Sequence, residues 1–277
     1  MKARIYCGAA VAVATLFAGV AGAQPASAPP AAPPPAAGAF DFNGFWASGP
    51  EFNFAGGKVD PNAQDLAVSP PLRNGDISNL TNDSVTARRS TNNLPLYKPE
   101  YWDKVVELDY HGNLADPFNS CMPMSVPRMG PPRKIVILKD EVLLFYTVPF
   151  QRNDFRIVPF GPRKHPVSRD GTWMGDPVAR WDGADLVIET EGFNAESWFG
   201  PQGYFHGYEM KVTERFTPKG NTISYQATVE DPEFLQKPWK MDPIILSRPK
   251  SPDVRLEESP PCSERDNKNL VGKQREM

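Results

Sequence analysis

Histidine and cysteine are scarce in this chain, with three of each among 277 residues. His111, His165 and His206 are scattered, and no C-x-x-C or paired Cys/His spacing accompanies them, so no metal centre is expected. The chain also lacks G-x-S-x-G, H-E-x-x-H, a phosphate-binding loop and a G-x-G-x-x-G that opens a helix. Hydrolases, metalloproteases and nucleotide enzymes of familiar design are thereby disfavoured, and no cofactor is expected. The longest apolar run, Ala9 to Val20, falls short of the roughly 20 residues that span a bilayer. No transmembrane segment follows from it. Nor is there a nucleic-acid footprint, which needs basic charge gathered on one face. The Arg/Lys groups at Arg128 to Lys134 and Arg163 to Arg169 read as solvated loop charge.

What the N-terminus does carry is an export signal. Lys2 and Arg4 precede the apolar run, and Ala21-Gly22-Ala23 supplies an A-x-A cleavage site before Gln24. Cleavage is expected after Ala23, which makes residues 1–23 a signal peptide and the mature protein periplasmic or secreted. Removing Lys2 and Arg4 from the 30 basic residues leaves 28 against 33 acidic ones, a net charge near −5. Residues 24–39 form a Pro/Ala-rich segment, QPASAPPAAPPPAAG and its flank, with almost nothing to bury. An extended, disordered linker is expected there. The folded part is expected over residues 40–277, as one domain with an irregular C-terminal tail.

Only Cys121 and Cys262 remain after cleavage, because Cys7 lies in the signal peptide. An isolated pair in an oxidising compartment is expected to be bridged.

The early folded region is rich in Asn, Asp, Ser, Pro and Gly, and Tyr97 to Asp109 is its one helical stretch, with Pro99 tolerated in the first turn. Beyond Cys121 the pattern changes to strands. Lys134–Leu138 and Val142–Thr147 read as a hairpin, Phe155–Val158 as a short strand, and Val178–Trp181 with Leu186–Thr190 as a second hairpin across an Asp-Gly step. Met210–Phe216 puts Met210, Val212, Glu214 and Phe216 on one side, and Thr222–Val229 alternates again. Consecutive strands joined by short turns predict an all-β, mainly antiparallel meander. A lipocalin-like up-and-down β-barrel with one short helix and long loops hides its edges most completely; a β-sandwich is the alternative.

Gly44-Phe45-Trp46 is a G-x-W that resembles the opening strand of lipocalin-type barrels. A longer series is more specific: Cys121, Pro123, Pro127 and Arg128; Trp181-Asp182-Gly183 with Leu186-Val187-Ile188-Glu189-Thr190 and Gly192-Phe193-Asn194; His206 with Val212-Thr213-Glu214-Arg215-Phe216; and Glu230-Asp231-Pro232-Glu233-Phe234 with Pro238-Trp239. Together these resemble a widespread, largely uncharacterised group of secreted bacterial proteins, over about half of the chain. The family pattern C-x-P-x-G-x-P-R has a glycine inside its first motif that this chain lacks. The resemblance implies export and a β-barrel more than any one activity.

His206 stands in Gly200-Pro201-Gln202-Gly203-Tyr204-Phe205-His206-Gly207-Tyr208, a Gly/aromatic loop that runs into a strand. An imidazole there is a candidate acid or base; the plainer reading is a histidine that holds neighbouring loops. Glu189, Glu191, Glu214 and Arg215 are charges on otherwise apolar strands, which face either water or an interior partner. Exterior placement is the simpler reading for each glutamate; an interior Glu189 beside Arg215 or Arg128 would orient a ligand or act as a base. Arg128, Arg152 and Arg156 are candidate cations for a carboxylate or phenolate, Arg128 foremost because it lies in the family-like motif. Trp198, Phe199, Tyr204, Phe205 and Tyr208, with Phe193, form either a plug over the fold or the wall of a site for a flat apolar molecule.

Two functions follow. One is an enzyme acting on a small apolar or aromatic molecule by cofactor-free proton transfer, of lyase or isomerase type, with His206, Glu189 and Arg128 catalytic and Arg215 and the loop aromatics binding substrate. The other is a carrier or sensor that holds such a molecule unchanged.

Overall fold

In the computed structural model, residues 40–48, 95–110, 115–147, 154–161, 170–200, 203–256, 258 and 262 are described. The expected signal peptide and linker, His111, His165 and Arg152 lie outside them.

Alternation of apolar with polar residues produces paired strands wherever the sequence shows it. β3 (Lys134–Ile137), β4 (Glu141–Phe145) and β5 (Phe155–Pro159) form a meander, and β1 (Gly44–Phe45) extends it to a four-stranded sheet in the order β1-β3-β4-β5. A second, seven-stranded sheet runs β2-β13-β11-β10-β7-β6, where β2 is Ala47–Ser48, β6 Asp176–Asp182, β7 Asp185–Glu191, β10 Lys211–Lys219, β11 Thr222–Glu230 and β13 Ile244–Ser247. β12 (Trp239–Lys240) adds to the far half of β11. A two-stranded piece, β8 (Trp198–Gly200) with β9 (Tyr204–Phe205), stands apart. All ladders between the described strands are antiparallel.

The turns follow from their residues. Asp182 pairs with Asp185 across Gly183-Ala184, where Gly183 has φ +62°, a conformation glycine adopts without steric penalty. The expected helix is present as a 3₁₀ turn at Pro99–Tyr101 that continues into α1 (Trp102–Tyr110), with Pro99 in its first turn.

The all-β, antiparallel class with one short α-helix is as expected, but the described strands do not close into a barrel. Apart from the β8–β9 pair, they form two sheets whose inner faces share one core, as in the sandwich alternative. Ile135, Leu144, Val142 and Val158 from the smaller sheet meet Ile188, Val212, Phe216, Tyr225 and Ala227 from the larger. The sheets touch at two corners. At one, the chain kinks at Trp46 between β1 and β2; the Trp46 backbone N–H donates to the Arg133 carbonyl (2.9 Å) and its indole N–H to the Phe42 carbonyl (2.8 Å). At the other, Phe160 makes a single parallel bridge to Ala179. A single bridge is too little ladder to merge the sheets.

The expected disulfide is present: Cys121 is bonded to Cys262, 141 residues later. It ties the chain's late segment to the loop that carries Arg128.

Candidate functional site

β8 and β9 pair with Trp198 opposite Phe205. One step beyond that pair, Ser197 and His206 therefore face each other. Ser197 Oγ lies 2.7 Å from His206 Nε2, and His206 Nδ1 lies 2.9 Å from the Gly207 carbonyl oxygen. A carbonyl only accepts, so Nδ1 carries the proton. In the neutral ring Nε2 is then the acceptor, and the Ser197 hydroxyl donates to it. Burial lowers the His206 pKa below its ordinary value, against the opposing influence of the Gly207 carbonyl and the Asp231 charge, and so favours the neutral ring.

Asp231 organises the far side of this pair. Its Oδ2 accepts the Gly207 N–H (2.8 Å), and its Oδ1 accepts the N–H groups of Glu233 (3.1 Å) and Phe234 (3.2 Å). Gly207 is thus held on both sides, by imidazole on its carbonyl oxygen and by carboxylate on its N–H. The Phe193 ring stands edge-on to the imidazole at 5.8 Å. Ser197 and His206 are 1 % and 2 % exposed, yet Glu196 and Tyr208, adjacent and two residues on, are exposed. The pair lies just beneath the surface.

Arg128 approaches from the other side of β8. Its guanidinium forms a bidentate, buried pair with Asp116, whose Oδ1 lies 2.8 Å from Nη1 and also accepts the Phe118 N–H (3.0 Å). Asp116 therefore caps the 3₁₀ turn Pro117–Ser120 and anchors Arg128 together; Cys121 of the disulfide follows directly. The Arg128 guanidinium lies 5.9 Å from the Trp198 ring and 5.4 Å from the Phe118 ring. Since Trp198 follows Ser197, two of the expected catalytic residues, His206 and Arg128, flank one short strand.

The loop aromatics divide. Trp198, Phe199, Tyr204 and Phe205 are buried, whereas Tyr208 is 60 % exposed. Tyr97 stacks on Phe199 and Tyr204 at 6.4 and 6.2 Å and donates its hydroxyl to the Phe205 carbonyl. Gly203, at φ +72°, runs so close to α1 that a Cβ there would stand 2.6 Å from the Val105 carbonyl oxygen. α1 and the aromatic loop are packed as one unit.

Glu189 and Arg215 lie elsewhere. Alternation puts them on the outer face of β7 and β10, where Glu189 pairs with Arg180 (3.2 Å) and Arg215 with Asp182 and Asp185 (each 2.6 Å). Hydrogen bonds from Arg215 hold the Asp182 carboxyl below its ordinary pKa. The structure brings neither residue to His206.

Their inward neighbours form a second buried centre. Arg156 Nη1 lies 2.6 Å from Glu214 Oε2 and donates to the Tyr146 hydroxyl (3.1 Å), while Nη2 donates to Thr190 Oγ1 (2.9 Å). The Tyr225 hydroxyl donates to Glu214 Oε1 (3.0 Å). Burial opposes the Arg156 charge, but Glu214 and Tyr146 outweigh it and hold the guanidinium firmly protonated. Burial likewise pushes the Tyr146 and Tyr225 phenols up, so both stay neutral. Glu214 is inside, against the simpler sequence reading, because Arg156 reaches it from the opposite sheet.

Ser197, Asp231 and Asp116 were not among the sequence candidates. A signal existed for Asp231, which lies in the family-like Glu230–Phe234 segment; Ser197 and Asp116 carry none. Among the described residues, no three His, Cys, Asp or Glu side chains gather as metal ligands, and no helix is long and apolar enough to cross a membrane. No family model, curated protein or solved structure matches this chain.

Proposed function

We infer that this is an extracytoplasmic protein that binds and transforms a small apolar or aromatic molecule by cofactor-free acid–base chemistry of lyase or isomerase type, with His206 as the proton carrier. The single observation that carries this reading is the oriented imidazole: Nδ1–H is committed to Gly207, and the basic lone pair of Nε2 points at a hydroxyl. The export signal and the Cys121–Cys262 bond support the compartment. Arg128, whose Nη1 and Nη2 are held by Asp116 beside Trp198, keeps its Nε–H as the donor suited to a substrate oxygen. Phe193 and Trp198 supply apolar surface next to the pair.

The carrier reading has its own support, since Phe199, Tyr204, Phe205 and Tyr97 pack on one another in one apolar cluster beside the pair. One experiment separates the two. Mature protein is incubated with mixed aromatic and terpenoid metabolites, and mass spectrometry follows both retained ligand and lost or new mass. Turnover that falls about a hundredfold or more in His206→Ala, with the fold intact by circular dichroism, supports the enzyme. A retained but unchanged ligand supports the carrier, and turnover indifferent to His206→Ala removes it as proton carrier.

A further inference from the structure

We propose that Ser197 is a nucleophile, and that the same site has a second, hydrolytic activity toward esters of small aromatic or apolar acids. This rests on His206 being a working base. The basic lone pair is already occupied: its partner is the Ser197 hydroxyl at 2.7 Å. The first proton within reach of Nε2 is therefore that of Ser197, and its removal leaves an alkoxide rather than a carbanion. A serine hydroxyl is a weak nucleophile until an adjacent base takes its proton, and the base works best when a third group holds it in one tautomer.

Both conditions are met by named contacts. The Gly207 carbonyl holds the proton on Nδ1 (2.9 Å), and Asp231 holds the Gly207 N–H (2.8 Å). The carboxylate sits on the far side of the Gly207 residue from the imidazole, where its charge favours the imidazolium that forms as Ser197 reacts. The Gly207 carbonyl thus takes the position on Nδ1 where a direct carboxylate contact is usual, and the Asp231 carboxylate acts on the imidazole through its charge. β8–β9 pairing fixes the register of the first two partners. The sequence has no G-x-S-x-G, because here the serine enters a short strand from a loop instead of standing on a strand-to-helix turn.

The reaction balances without a cofactor. Ser197 Oγ bonds to the acyl carbon while its proton passes to Nε2. The tetrahedral adduct collapses, the bond to the alcohol oxygen breaks, and the imidazolium returns the proton to that oxygen. Water then gives a proton to Nε2 as it attacks the acyl-Ser197 ester. Ser197 leaves and recovers the proton, so that ester and water become acid and alcohol. Phe193 and Trp198 favour an apolar acyl group.

The test is covalent labelling, which reads nucleophilicity and not stability. Mature protein is treated with diisopropyl fluorophosphate and mapped by peptide mass spectrometry, in parallel with p-nitrophenyl benzoate hydrolysis. One adduct on Ser197 is expected, absent in Ser197→Ala and formed at least a hundredfold more slowly in His206→Gln, whose amide accepts the hydroxyl proton without taking it. The labelling rate is expected to rise with pH as His206 loses its proton. No adduct on Ser197 and no ester turnover by folded protein overturns the proposal. If His206→Gln abolishes conversion of a metabolite while Ser197→Ala leaves ester turnover intact, the nucleophile falls and the base stands. If neither substitution matters, both fall.

Discussion

Arg156 and Glu214 join the two sheets through a buried ion pair, with Nη1 2.6 Å from Oε2 and both side chains almost wholly removed from water. A buried pair of this kind is weak evidence for net stability, because desolvation offsets the attraction; removing one partner is a different matter. Glu214→Leu leaves the Arg156 charge with only Tyr146 and Thr190, and Arg156→Met leaves Glu214 with only Tyr225. Each single variant is expected to lose about 3–5 kcal/mol in urea denaturation. The double variant should lose clearly less than the sum, and strictly additive losses would refute coupling across the sheets.

Stability should also depend on pH through His206. Its folded pKa is below the ordinary histidine value, so as pH falls past about 6.5 the unfolded chain takes up the proton first. The contribution is fully present above that range and is lost on the way down to the lower folded value. Urea midpoints between about pH 7.5 and 5 should fall more steeply for the wild type than for His206→Gln. Parallel curves would show that the imidazole does not sense its burial.

Two glycines with similar backbone should respond differently to alanine. Gly171 (φ +60°) passes Phe193 so closely that a Cβ would stand 2.4 Å from that residue's carbonyl, whereas Gly183 (φ +62°) has nothing within 4 Å. Gly183→Ala carries the left-handed strain alone, about 1–2 kcal/mol. Gly171→Ala adds backbone overlap and pushes on the segment that carries Phe193 to His206. It is expected to unfold at distinctly lower denaturant and to change the His206 NMR titration; equal midpoints for the two variants would refute the close approach.

Loss of the disulfide should act mainly through the unfolded chain. Closing a loop of 141 residues restricts that ensemble by an amount worth about 5 kcal/mol in the chain-entropy account. Cys121→Ser/Cys262→Ser is expected to approach that loss, less any residual denatured structure, and to loosen the Asp116–Arg128 loop. Reductant should shift the wild-type midpoint toward that of the double variant and leave the double variant unmoved.

The outer pairs give the contrasting expectation. Glu189→Gln removes an exposed partner of Arg180, a class of contact that contributes little and is screened by salt. Neither the denaturation midpoint nor any turnover should change appreciably, and a large loss of turnover would return Glu189 to the catalytic set.

β10 shows how far alternation could be read. It put Glu214 on the same side as Met210, Val212 and Phe216, and that side is the core. The expectation that a lone glutamate faces water prevailed over this evidence because its cation lies on β5, 58 residues earlier and in the other sheet. Barrel closure failed for a similar reason. Short turns predict that neighbours in sequence pair, and they do within each hairpin. They do not say whether the last strand of one sheet finds enough ladder on the next, and Phe160–Ala179 provides a single bridge.

By itself the sequence determined what local chemistry decides: the main strands and the alternation along them from periodicity, the Asp-Gly hairpin, the helix with Pro99 in its first turn and the pairing of Cys121 with Cys262. Only the tertiary structure decided which polar groups meet. Ser197 faces His206 because β8 pairs with β9 in one register, Asp231 stands behind that pair because its loop returns from β11, and Arg156 meets Glu214 because two sheets stack. Such contacts depend on register and packing between distant segments, and a side chain carries no mark of the partner it will find there.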